Sequence, residues 1–272
     1  IRRNDGDNGL RRPNHLSEVS VLNNDGKRYI YGTPAYNTGQ KEVTFAVDSY
    51  QGNNTTGLAT YTSGDNTTSN NRGKDNFFSS DYTPGFAHSF LLTSILSADY
   101  SDITGDGVTE DDNGDAIKFN YSRLKWGGNT NFGWRAPYDN LKATYNEGSK
   151  SDATDDKASY VYGQKEVWYL NSIESKTMIA TFVLDTAVRK DGYGVSGEDG
   201  GRDNNAALKR LKEINLYSKS DYYKNPLKAR PVKTVKFYYS YSLCTGSESS
   251  LSGYGKLTLD SLAFSYNGNK RS

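Results

Sequence analysis

A four-residue phrase runs through this chain five times: a leucine, any residue, a serine or glutamate, then an aliphatic residue. The copies are LSEV (16–19), LTSI (92–95), LNSI (170–173), LKEI (211–214) and LDSL (259–262). Side chains alternate across a strand, so the two apolar residues of each phrase, three apart, point to opposite faces of a flat sheet. Either both faces are partly covered, or an extra residue at the polar pair flips the phase. In KLTLDSLAFSY, Leu257 and Leu259 share one phase while Leu262, Phe264 and Tyr266 share the other. A bulge near Asp260 and Ser261 brings all five to one side, and the same device is expected at Asn171 and Ser172. Bulges bend sheets. The phrase therefore predicts a curved sheet.

Most copies are followed by a segment carrying an aromatic residue: VTFAVD (43–48), IKFNY (117–121), ATFVLD (180–185) and VKFYYSY (235–241). The clearest strand is VKTVKFYYSYSL, with Val235, Phe237, Tyr239, Tyr241 and Leu243 on one face and Thr234, Lys236, Tyr238 and Ser240 on the other. Twenty-two Tyr and ten Phe against six Pro fit pleated, half-buried surfaces. Residues 204–217, NNAALKRLKEINLY, read as strand, with a helix capped by Asn204 or Asn205 as the alternative. The expected fold is mainly β: repeated antiparallel β-hairpins in a curved or spiralling sheet, with long polar loops and little helix. Two modules, 1–160 and 161–272, are expected to be continuous with each other. The Gly-, Asn-, Asp- and Ser-rich stretches 49–76, 101–115 and 189–205 are expected as surface excursions or partly disordered loops.

Several function classes lose their support. Thirty-three basic and thirty-two acidic residues nearly cancel, which removes the electrostatic case for nucleic acid. No apolar run reaches 18 residues, so no helical membrane span is expected. A lone cysteine, Cys244, excludes an internal disulfide framework and reads as a small packed thiol at a strand end. His88 beside an apolar stretch reads as structural, and His15 lies in a polar lead-in. No nucleophile elbow, P-loop or dinucleotide fingerprint occurs. The opening IRRNDGDNGLRRPNHL reads as if cut from something longer.

Two stretches carry candidate chemistry. In DITGDGVTEDDN (102–113), Asp102, Thr104 and Asp106 have the alternate spacing of an oxygen-ligated cation loop, and Gly107 supplies a sharp turn. Glu110, Asp111 or Asp112 is placed to close a calcium site. Thr104 stands where such loops carry Asp or Asn, and Asn113 where they carry Glu, so a solvated acidic turn is the competing reading. In WGGNTNFGWRAPY (126–138), Trp126, Phe132, Trp134 and Tyr138 lie close to Arg135. Exposed, they would stack on a glycan or a protein partner; packed inward, they would anchor the loop to the sheet. Acidic clusters at 151–157 and 197–203 could supply a glycosidase carboxylate pair, with acidic surface loops as the competing reading.

The order EVWYLNSIES, ATFVLD, R-x-DG, LKRLKEINLYS, VKTVKFYYSYSL, GKLTLDSLAFSYNG resembles the N-terminal parts of large bacterial RHS/YD-repeat-like proteins. The resemblance runs from Trp168 to Asn269, with weaker echoes at 16–48 and 90–121. It implies a spiralling sheet of hairpins, a shell or scaffold that in the family can enclose a toxic C-terminal segment. The Tyr-Asp-x-x-Gly-Arg consensus and the family's self-cleavage region are both missing, so the resemblance implies a wall and not a cargo. It further implies a secreted or cell-surface setting, flanking modules of the same polypeptide as partners, and no enzymatic activity. Adhesion through the 126–138 stretch is the alternative.

Overall fold

The computed structural model describes residues 2–3, 13–125, 131–148, 155–267 and 269–270. The protein is mainly β, built of antiparallel sheets with little helix, as the sequence predicts. The strands are β1 (Arg2–Arg3), β2 (Leu16–Leu22), β3 (Arg28–Tyr31), β4 (Thr33–Ala46), β5 (Gly52–Asn53), β6 (Leu58–Thr60), β7 (Phe78–Leu91), β8 (Ser94–Leu96) and β9 (Ala116–Arg123). There follow β10 (Asn131–Ala136), β11 (Lys142–Asn146), β12 (Lys157–Glu166), β13 (Trp168–Glu174), β14 (Met178–Val195), β15 (Arg202–Ser218), a short helix α1 (Lys219–Lys224), β16 (Lys233–Leu243), β17 (Lys256–Tyr266) and β18 (Asn269–Lys270). The 204–217 segment is thus strand.

An eleven-stranded sheet runs β1-β2-β3-β8-β9-β13-β14-β15-β16-β17-β18. The recurrent phrase falls, in whole or in part, on every second strand of this order: β2, β8, β13, β15 and β17. In four of the five, its second residue is the extra residue of a bulge against the preceding strand of the sheet. Ser17 is skipped between the pairs Leu16–Arg3 and Glu18–Arg2, and Asn171 between Leu170–Tyr121 and Ser172–Asn120. Lys212 is skipped between Leu211–Leu184 and Glu213–Val183, and Asp260 between Leu259–Tyr239 and Ser261–Tyr238. The spacing conflict is resolved by bulging in each case, and the two apolar residues land on one face.

The register then assembles two unlike faces. One carries the row Phe182, Ile214, Val235, Phe264, flanked by the pairs Leu184–Leu211, Phe237–Leu262 and Tyr239–Leu259. The opposite face carries the row Asn120, Ser172, Thr181, Asn215, Thr234, Ser265 across six strands. Ser172, Asn215 and Thr234 are buried there. They are satisfied laterally: the Asn120 amide donates to Ser172 Oγ at 2.9 Å, and Thr234 Oγ1 donates to Asn215 Oδ1 at 2.7 Å.

The second sheet runs β5-β6-β11-β12-β4-β7, with β10 also on β12. Because β4 occupies one edge of β12, β10 and β11 share the other. They act as one broken strand with residues 137–141 looping out between them. Its core is Val43, Phe45, Val47, Ala59, Tyr61, Ala143, Ala158 and Tyr160. The rings of Phe45, Tyr61 and Tyr160 pack at 5.1–6.3 Å. VTFAVD thus belongs to this second core, through β4, and not to an aromatic partner strand of the repeated sheet. The two sheets meet at Glu166, whose carboxylate accepts from Arg123, from the Trp168 indole and from the Tyr36 amide.

Three sequence expectations need correction. A boundary at residue 160 does not appear, because β12 runs through it and the eleven-stranded sheet draws strands from both halves. The 49–76 stretch is not a loose excursion. Asp65, Asn66 and Asn70 are buried, and they tie the stretch to itself and to the end of β4: Asn70 Nδ2 donates to Ala46 O, and Asp65 Oδ2 accepts from Thr62 N and Gln51. Cys244 is exposed, in a turn with φ +54°, and is not packed.

Candidate assembly face

The apolar face of the repeated sheet is a candidate assembly surface. Toward β17 it is left half open: Leu259, Leu262, Phe264 and Tyr266 are 44–52% exposed on neighbouring positions of one strand. Single exposed apolar residues are ordinary, whereas a contiguous row is not. Cations edge this face. The Lys233 ammonium stands 5.1 Å from the Phe264 ring centroid and 5.6 Å from that of Tyr266. Arg210 lies 5.7 Å from Tyr239 and 6.0 Å from Tyr241 while bonding Asp185 through two nitrogens. These long side chains cover part of the rings, and Arg210 sets its charge against the Asp185 carboxylate.

The R-x-DG segment of β14 ties β17 down at one end of this face. Arg189 donates to both oxygens of Asp191, at 3.0 and 2.8 Å, and Asp191 Oδ2 accepts the Leu257 amide at 3.0 Å. Burial acts to raise the Asp191 pKa; the Arg189 guanidinium and the Leu257 amide outweigh it and hold the carboxyl below its ordinary value.

The calcium candidates are not brought together around a common point. Asp102 accepts the Gly105 and Gly107 amides, at 2.7 and 3.1 Å, made possible by φ of +77° and +96° at those glycines. Thr104 donates to Asp106. Asp112 is turned inward, with Oδ1 on the Ile103 amide and Oδ2 on the Thr109 amide and the Tyr100 hydroxyl. Glu110 leaves the loop and pairs with Lys219 at 3.1 Å. Among the described residues, no group of three or more His, Cys, Asp or Glu converges as a metal site. Asp102 and Asp112 accept the loop's own N–H groups, and Asp106 and Asp111 its threonine hydroxyls.

The 126–138 stretch is not an exposed aromatic loop where the structure describes it. Trp126 lies outside the described residues. Trp134 and Arg135 sit on β10, and Trp134 covers Gly163, its cross-strand neighbour, where a Cβ would meet the indole at 2.7 Å. Its Nε1 donates to Asn37 at 3.3 Å. Arg135 is 5% exposed, and its guanidinium lies 4.2 Å from the Tyr160 ring centroid. It donates to the carbonyls of Pro137, Lys142 and Glu198 and to the Tyr61 hydroxyl. Tyr138 donates to Gly194 O at 3.1 Å. Arg135 and Tyr138 latch the tip of the β14–β15 hairpin onto the second sheet. A fork of N–H donors meets the carbonyls of Pro137, Lys142 and Glu198, which draws Arg135 inward.

The acidic residues of the 197–203 cluster hold the hairpin tip to the second sheet. Glu198 pairs with Lys41, and Asp199 accepts from Tyr61 and Asn66; residues 151–154 lie outside the described region. Sequence reading missed the cleft in which Glu110, Glu174, Lys219 and Tyr223 meet, since no local pattern joins the separate segments that build it. No protein-family model, no curated protein and no solved structure matches the chain.

Proposed function

We propose that the protein is a non-enzymatic structural module of a large secreted or cell-surface bacterial protein. It would form a wall of an RHS-like shell or scaffold whose apolar sheet face packs against neighbouring modules of the same polypeptide. The observation that carries this reading is the alternation of phrase-bearing and intervening strands, with bulges that turn their apolar residues to one side. That arrangement makes an extended hydrophobic surface. Four successive strands, β14 to β17, contribute to it, and its last strand is left half open to solvent.

An environment-sensitive naphthalene sulfonate dye tests the reading. The folded protein is expected to bind the dye, and Leu262→Ser combined with Phe264→Ser is expected to remove most of the signal without unfolding the chain. A folded protein that ignores the dye, or a double variant that binds it equally well, contradicts the reading.

A further inference from the structure

We propose that the cleft between the 97–115 loop and α1 is an oligosaccharide-binding site. The inference is independent of the assembly reading. The cleft encloses about 570 Å3, within the range of small-molecule sites, and Tyr100, Glu110, Lys118, Lys176, Lys219 and Tyr223 are among its walls.

Its floor is rigid and polar. Glu174 Oε1 accepts from Asn120 at 2.6 Å and from Ser172 at 3.4 Å, while Oε2 accepts from Tyr223 at 3.0 Å and Lys219 at 3.4 Å. Lys219 also reaches Glu110, so two carboxylates flank one ammonium. Both oxygens of Glu174 are engaged by donors, so neither is left to approach a scissile bond, and the pair reads as binding and not as hydrolysis.

Above this floor the rim is accessible. Glu110 has a side chain 73% exposed, and Tyr223 is 57% exposed. Lys118 and Lys176 are exposed and donate to carbonyl oxygens, of Val108 at 3.5 Å and Asp112 at 3.2 Å. The rim thus offers an acceptor and several donors around an aromatic ring. A phosphate or carboxylate accepts only, and an ammonium donates only. A sugar hydroxyl does both, and the C–H face of a pyranose fits the ring of a half-exposed tyrosine.

The test is a printed array of neutral, uronate-bearing and sulfated oligosaccharides probed with the purified protein, followed by titration of the best ligand. Tyr223→Ala is expected to weaken binding about tenfold or more. Tyr223→Phe keeps the ring, loses only the bond to Glu174, and is expected to retain binding. Glu110→Gln and Lys118→Ala alter exposed side chains, and each is expected to weaken binding with an unchanged melting temperature. They carry the test if Tyr223→Ala fails to fold. Retention of no glycan, retention of sulfated glycans alone, or binding indifferent to Glu110→Gln and Lys118→Ala overturns the proposal. Any of these outcomes leaves the assembly face untouched.

Discussion

Asp191 and Arg135 are polar side chains buried for different ends. The Asp191 side chain is 2% exposed and that of its partner Arg189 29%. Its folded pKa lies below the unfolded value, so the stability it contributes is fully present above about pH 4 and is lost as pH falls through the folded value. Asp191→Asn is expected to cost about 3 kcal/mol at neutral pH, because it leaves Arg189 without its counter-charge. The gap to the parent protein should narrow in urea unfolding below about pH 4; a gap independent of pH would contradict the role given to the charge. Burial pushes the Arg135 pKa down, against the hydroxyls of Tyr61 and Tyr160. A lysine there would reach fewer of the carbonyls that the guanidinium fork serves. Arg135→Lys should therefore destabilise the fold by about 2 kcal/mol, read as a melting shift. No glycan binding should change with it, which separates a latch from a ligand contact.

At the level of single strands, the bulge is the unit of meaning. Deleting Asp260 removes the extra residue and sends Leu257 and Leu259 to the polar face, an expected loss of about 2 kcal/mol. Asp260→Ala keeps the residue count and should stay within about 0.5 kcal/mol, since only a surface bond from Ser240 is lost. Equal effects of the two changes, compared by thermal melting, would show that the bulge does not set the phase. Much of this was legible beforehand: residues three apart cannot share a face of an unbroken strand, and the bulges at Asn171 and Asp260 follow from that conflict. The strand in VKTVKFYYSYSL was equally plain, its alternation being strict. VTFAVD was misassigned because a core strand of another sheet carries the same alternation as the aromatic partners. Burial of Asp65, Asn66 and Asn70 could not be read from composition, since it depends on backbone groups such as Ala46 O, distant in sequence. The cleft was illegible for the same reason.

In the whole molecule, the chain builds one sheet nearly in sequence order and diverts β4–β7 and β10–β12 into another. The second sheet has its own aromatic core and an outer strand, β7, that carries Pro84 and Asp81, residues suited to an unpaired edge. The first sheet differs at its far end. There β18 pairs only with Ser265 and Tyr266, no further strand lies outside the rest of β17 among the described residues, and the adjoining apolar row stays half exposed. A surface of this kind is expected of a module meant to be covered. Side-chain footprinting with hydroxyl radicals, read at Leu259, Leu262, Phe264 and Tyr266, addresses the point directly. It would compare this chain alone with the same chain inside a longer polypeptide carrying its flanking sequence. Strong labelling in isolation and marked protection in the longer protein are the expected result; equal labelling in both would contradict the account.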